Sequence, residues 1–148
     1  MIAISLHPSR RQIHNTVSFA STLYLRPVLD LLLVEVLPLW RCELRLGLQE
    51  ALVNAARHGN CLDPCKQVTV HFTVNIQQYV WTITDEGGGF AAGNCRDAST
   101  SSSGPCMESE CGRGLYILRQ IFDEVHWQPP GNQIRLCKNI RRERPVLL

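Results

Sequence analysis

The chain has 148 residues, of which 45% are hydrophobic and 19% are charged. These values are typical of one globular domain with a sizeable core and exclude a disordered chain. The net charge is only +2, so nucleic acid is not expected as a direct partner. The longest apolar run, 28–39, is interrupted by charged residues and is too short to cross a membrane. The seven cysteines, with no signal peptide in the sequence, predict free thiols in a reducing cytoplasm.

The first part of the chain predicts one strand and two helices. Residues 1–11 show no clear pattern and are expected to be an N-terminal extension, whereas the imperfect alternation over 13–19 predicts a strand. A helix is expected over about 22–37, in which Pro27 marks either a kink or the first turn, and Pro38 is expected to stop it. The segment 40–58 predicts a second helix, which is apolar over most of its circumference and ends at a glycine.

The rest of the chain predicts a small sheet with one inserted helix. The expected elements are strands over 68–74 and 79–84, a helix over 115–123, strands over 125–127 and 133–138, and a basic tail over 141–148. Between the second strand and the helix, residues 91–111 are rich in Ser, Gly and Cys, and loops of this length are often functional. The order predicts an α+β two-layer fold, in which helices cover one face of a mixed, mostly antiparallel sheet.

The second predicted helix carries a polar stripe. Glu50, Asn54 and His58 are spaced four apart and therefore share one face, with Arg57 beside them. A carboxylate and a carboxamide on so apolar a helix need polar partners. Those partners are either protein groups, as in an ordinary core helix, or a metal ion with a ligand. In the second case Asn54 supplies a hard oxygen for Mg²⁺, and Glu50 orients or deprotonates an attacking hydroxyl.

Two glycine motifs follow in the chain. Asp85-x-Gly87-x-Gly89 comes after a strand, where the carboxylate can accept a hydrogen bond from the amino group of adenine and the glycines let a flat base approach. Gly112-x-Gly114 is predicted to open a helix, whose free N–H groups suit a phosphate. The sequence contains no G-x-x-x-x-G-K-S/T P-loop, and the third glycine of a dinucleotide fingerprint is missing.

In this order the three motifs resemble the N, G1 and G2 boxes of the GHKL ATPase superfamily. The run Glu50-Ala-Leu-Val-Asn-Ala-Ala-Arg-His-Gly-Asn60 is similar to the anti-sigma-factor serine/threonine kinases of bacterial partner-switching systems, and so are Gly112-Arg-Gly-Leu115 and the closing strand. The resemblance extends from about residue 12 to residue 140, which is the expected kinase domain. It implies the Bergerat ATP-binding fold, Mg-ATP as the cofactor, an antagonist protein that is phosphorylated on Ser or Thr, and a sigma factor that is sequestered.

The resemblance also implies roles for individual residues. Glu50 corresponds to the catalytic carboxylate, Asn54 to the magnesium ligand, Asp85 to the contact with the adenine amino group, and 91–111 to an ATP lid. The residues that it places around ATP are Asn54, Arg57, Asp85, Gly87, Gly89, Gly112, Arg113, Gly114 and Leu115.

Some residues depart from the pattern of that family. The last strand offers Gln133 and Arg135 where many members carry a threonine, and Glu110 stands where some members carry a lid arginine. These departures favour an alternative function, a nucleotide-binding module that binds a partner with little or no kinase activity. The apolar run 28–39 suggests a surface for a partner or for a homodimer.

Overall fold

A computed structural model of the chain describes residues 2–9, 12–88 and 108–140, with the side chains of 5–9 and 108–112 left out. The elements in chain order are β1 (Ala3–Ser9), β2 (Gln12–Ala20), α1 (Arg26–Leu32), α2 (Pro38–Val53), a π-helical segment (Asn54–Gly59), β3 (Gln67–Val74), β4 (Gln78–Asp85), α3 (Glu108–Ile121), β5 (Glu124–Gln128) and β6 (Gln133–Asn139). The six strands form one sheet in the order β1-β2-β3-β4-β6-β5, and each described pair is antiparallel. The predicted α+β two-layer fold is confirmed.

The core lies between the helices and one face of the sheet. Successive side chains of a strand point to opposite faces, so alternate residues are buried. The buried side chains of the two central strands are Val68, Val70, Phe72, Tyr79, Trp81 and Ile83. Phe72 and Trp81 are cross-strand partners whose rings stack with centroids 5.0 Å apart, and Phe122, just after α3, packs edge-on against Trp81. These aromatic contacts join the sheet to α3.

Residues 1–11, in which the sequence shows no clear pattern, do contain a strand: Ala3–Ser9 form β1 and pair with β2 from Ala3 opposite Ser18 to Ser9 opposite Gln12. The segment is short and contains Pro8, which argues against an interior strand. Since β1 is the edge strand, its proline is tolerated.

The helix boundaries also differ from the prediction. Pro27 lies in the first turn of α1, so it starts the helix and does not kink it, and α1 already ends at Leu32. Pro38 was expected to stop a helix but lies in the first turn of α2, where its missing N–H costs nothing. Five side chains of the apolar run 28–39 are buried in the core, and its exposed apolar side chains are Val34, Leu37 and Leu39.

The second predicted helix is not a single α-helix. After Val53 it continues as a π-helical segment, which ends where the N–H of Asn60 donates to the carbonyl of Ala55 at 2.9 Å. Such segments occur mostly as single turns and often at functional sites. No helix in the described ranges is both long and apolar enough to cross a membrane. Gly89, most of the predicted lid 91–111 and the tail 141–148 lie outside the described residues.

Candidate functional site

The first and third sequence motifs meet in the structure. Glu50 lies near the end of α2 and Asn54 opens the π-helical segment, while Gly114 is buried in α3. A Cβ atom placed on Gly114 would lie 2.5 Å from Oε1 of Glu50 and 3.4 Å from Nδ2 of Asn54. The carboxylate and the carboxamide thus lie against bare backbone of α3, and a Cβ at position 114 would displace the Glu50 carboxylate while only touching Asn54.

The side chains of Glu50 and Asn54 are half-buried. Within the described part of the chain, neither side chain has a hydrogen-bond partner, whereas the fully buried side chain of Asn60 is bonded. Because Glu50 and Asn54 are still partly accessible, their polar atoms are available to a ligand or an ion.

In the second motif, the carboxylate of Asp85 lies in a narrow space between the backbones of Gly59 and Gly87. Asp85 is the last residue of β4, and its Oδ1 accepts a hydrogen bond from the N–H of Gly87 at 2.8 Å. A Cβ atom on Gly59 would lie 2.3 Å from Oδ2 of Asp85, and one on Gly87 would lie 2.1 Å from the carbonyl oxygen of Gly59. Only glycine fits at these two positions. Gly59, predicted as a helix stop, is therefore also part of the site.

Burial raises the pKa of Asp85, and the N–H of Gly87 and the positive charge of Lys66 oppose that rise. The N–H of Gly87 occupies one side of Oδ1, and Oδ2 has no hydrogen-bond partner among the described residues. A charged carboxylate with one oxygen available accepts a hydrogen bond from a donor such as an amino group.

Asn132 is a site residue that the sequence did not predict. Its carbonyl oxygen accepts the N–H of Asp85 at 2.9 Å, and its Nδ2 donates to the carbonyl of Asp85 at 3.2 Å. It follows Gly131, which has a φ of 99° in the turn before β6. The only signal in the sequence was this Gly-Asn turn, which by itself indicates a hairpin and not a site.

The remaining predicted residues lie at the edge of these clusters. Arg57 and Arg113 are exposed and Leu115 is half-buried. The prediction that Gly112 and Gly114 open a helix is wrong, because α3 already begins at Glu108 and both glycines lie within it.

The departures in the last strand lie away from Asp85. Gln133 pairs with Thr84 and donates to its hydroxyl at 2.9 Å. The alternate residues of β6, Ile134 and Leu136, are buried in the core, so Gln133 and Arg135 point to the opposite face of the sheet. Asp85 points to the core face, next to Gly59. These two side chains therefore lie on the opposite face of the sheet from the Asp85 carboxylate.

The side-chain oxygens of Glu50 and Asn54 are of the kind that Mg²⁺ takes together with water and phosphate. No group of three or more His, Cys, Asp or Glu side chains that could hold a metal occurs in the described ranges. Mg²⁺ is usually held by one or two protein oxygens, with water and substrate phosphates completing its octahedron. The amide oxygen of Asn54, beside the carboxylate of Glu50, fits that requirement.

Comparison with known proteins places the chain in a family. The model of the histidine kinase-like ATPase domain matches residues 11–138, which include Glu50, Asn54, Asp85 and Gly114. The serine-protein kinase RsbW of Bacillus licheniformis is 28% identical over 109 residues, and that of Bacillus subtilis strain 168 is 28% identical over 110 residues. Both matches cover 69% of this chain and 66% of the relative, so the chain spans just under two thirds of their length. The chain therefore belongs to the histidine kinase-like ATPase domains of the GHKL type, and this membership implies that it binds ATP.

Proposed function

We propose that the chain is a protein serine/threonine kinase that transfers the terminal phosphoryl group of ATP to a small antagonist protein. The observation that carries the proposal is the pairing of Glu50 and Asn54 against Gly114, on the same helical unit that ends at the Asp85 pocket. The relatives of this chain in Bacillus are named serine-protein kinases, and this name supports a Ser or Thr of a protein as the phosphoryl acceptor.

Different residues of the chain bind the base, hold the metal ion and act on the attacking hydroxyl in this proposal. Asp85 accepts a hydrogen bond from the adenine amino group, and Gly59 and Gly87 leave room beside it. Asn54 would hold Mg²⁺, which neutralises phosphate charge when it is bound. Glu50 orients the attacking hydroxyl and takes up its proton. Arg57 lies within the π-helical segment, is exposed, and is proposed to contact the phosphates.

The proposal extends to a sigma factor as a second partner and to action in the cytoplasm, because the sequence resembles the anti-sigma-factor kinases. The exposed apolar side chains of Val34, Leu37 and Leu39 offer a surface for a protein partner or a second copy. The region that we propose as the ATP lid, 91–111, runs into the first turn of α3 at Glu108.

The test is transfer of radiolabelled phosphate from ATP to candidate antagonist proteins, with magnesium or with EDTA. We expect label on Ser or Thr of one candidate, and we expect EDTA to abolish it. Glu50→Gln should lower the rate by about 10²–10⁴-fold, the usual contribution of a general base. Asn54→Ala should lower magnesium-dependent ATP binding. Gln49→Ala is the matched control, because Gln49 is exposed on the same helix.

Transfer at the wild-type rate in both Glu50→Gln and Asn54→Ala would contradict the proposal. Magnesium-dependent ATP binding without any transfer would instead favour the alternative, a module that binds nucleotide and a partner without phosphorylating it.

A further inference from the structure

We infer that Asn60 is a positioning residue that holds the Asp85 pocket in place and thereby sets the preference for adenine. The inference rests on the proposed function, because it assumes that Asp85 receives the amino group of the base. Asn60 directly follows Gly59, the residue whose backbone lies against the Asp85 carboxylate. The sequence singled it out only as the end of a motif.

The side chain of Asn60 is fully buried and fully bonded. Its exposed fraction is 0%. Its Nδ2 donates to Oγ of Ser21 at 2.7 Å and to the carbonyl of Gln67 at 2.9 Å. Its Oδ1 accepts the N–H of Glu86 at 2.8 Å. One amide thus joins the end of β2, the start of β3 and the end of β4.

The bond to Glu86 matters for the site because Glu86 is the residue after Asp85. Gly59 contacts the Asp85 carboxylate from one side, and Asn60 holds the peptide that follows Asp85. Two consecutive residues at the end of the π-helical segment therefore fix both the side chain and the main chain at position 85. Asn132 holds the preceding N–H of Asp85.

Only a carboxamide satisfies all three partners. Ser21 and Gln67 offer acceptors to the Asn60 amide and Glu86 offers a donor, so the group at position 60 must donate twice and accept once. Alanine would leave the N–H of Glu86 without its acceptor on Asn60, so the peptide that follows Asp85 would no longer be held to position 60. The end of β4 would shift, and the Asp85 carboxylate would shift with it.

The experiment compares binding of ATP with binding of purine riboside triphosphate, which carries hydrogen in place of the 6-amino group. Calorimetry with the full chain and magnesium gives both dissociation constants. We expect the wild-type protein to prefer ATP by roughly tenfold or more, as a hydrogen bond to a charged group would give. In Asn60→Ala we expect weaker ATP binding and a ratio within about threefold of unity, because the carboxylate no longer meets the amino group.

Two further variants separate positioning from simple loss of stability. Asn60→Ser retains a small polar group at the site, but its side chain is shorter and does not reach Glu86, so the ratio should fall as in Asn60→Ala. Ser21→Ala removes one partner of the same amide but leaves the bond to Glu86, so the protein should be less stable with an unchanged ratio.

The ratio is the decisive readout, because general destabilisation lowers the affinity for both nucleotides equally. A wild-type ratio in a folded Asn60→Ala or Asn60→Ser protein would overturn the inference, and so would loss of the preference in Ser21→Ala. A wild-type protein that binds neither nucleotide would contradict the proposed function itself.

Discussion

Replacing Gly114 with alanine should lower kinase activity without lowering stability. Gly114 lies within α3 and does not have a positive φ, unlike Gly131 in the described ranges. The backbone at position 114 therefore accepts alanine. Alanine inside a helix is favoured over glycine by about 1 kcal/mol. The new Cβ, however, would lie 2.5 Å from Oε1 of Glu50, whereas ordinary contacts begin at 3.4 Å.

The expected loss of activity follows from the difference between the 2.5 Å approach of the new Cβ to Glu50 and the 3.4 Å of an ordinary contact. The carboxylate oxygen of Glu50 must withdraw by about 0.9 Å, and it lies at the end of a flexible side chain, so the movement costs little stability. A misplacement of about 1 Å in a reacting group can reduce the rate about 10²-fold. We therefore expect phosphoryl transfer to fall about 100-fold, while the melting temperature stays the same or rises.

The assay combines initial rates of phosphate transfer with thermal unfolding and includes a double-mutant cycle. In a Glu50→Ala background the alanine at 114 has no carboxylate to displace, so it should cause no further loss. Gly88→Ala is the control, because a Cβ at Gly88 meets no atom within 4 Å. Normal transfer in Gly114→Ala, or additive losses in the double variant, would refute the proposed contact between α3 and Glu50.

Three other changes test the core and the pocket. Gly47→Ala should destabilise the fold by about 1–3 kcal/mol in thermal unfolding, because its Cβ would lie 2.6 Å from a ring carbon of Phe122. Trp81→Ala should cost about 3–5 kcal/mol in denaturant unfolding, since the ring is fully buried among aromatic side chains. Burial raises the pKa of Asp85 above its ordinary value of about 3.9. The contribution of Asp85 to stability is therefore present at low pH and lost as the pH rises through that pKa. ATP affinity, which needs the charged carboxylate, should fall as the pH drops through the same range, and this acid limb should be absent in Asp85→Asn.

The spacing of apolar residues in the sequence predicts the central strands and the long helix, but it does not predict the edge strand β1. Alternation over β3 and β4 predicts both strands, because each has one buried face. β1 is an edge strand, and both Ile4 within it and Ile2 just before it remain largely exposed, so burial does not enforce an alternating pattern there. The proline near its end also weakened the signal, although an edge strand tolerates it.

The two prolines do mark helix boundaries, but whether each marks the start or the end of a helix depends on the tertiary structure. Pro27 and Pro38 both lie in first turns, whereas the sequence left a kink or a first turn open for Pro27 and predicted a stop at Pro38. The buried side chains of Leu33 and Val36 keep the turn between the two helices in the core. An apolar turn of this kind resembles a continuing helix, since hydrophobic spacing alone does not distinguish them.

The site residues follow from chemistry and spacing, but their contacts do not. Glu50, Asn54 and Asp85 stood out because acidic and amide groups on apolar elements need partners. That Gly114 lies against Glu50, and Gly59 against Asp85, depends on contacts between elements far apart in the chain. No local pattern carries that information.

The glycines of this site are explained by the carboxylates opposite them. Gly59 and Gly114 have backbone angles that other residues adopt, so neither is needed for a turn. Each is required because an acidic oxygen on another element occupies the place of its Cβ. The glycine backbone covers one side of each carboxylate and leaves the other side accessible. A ligand can therefore approach the carboxylate only from that accessible side. The glycines thus orient Glu50 and Asp85, and a methyl group at either glycine should impair the reaction or the binding of the base before it impairs the fold.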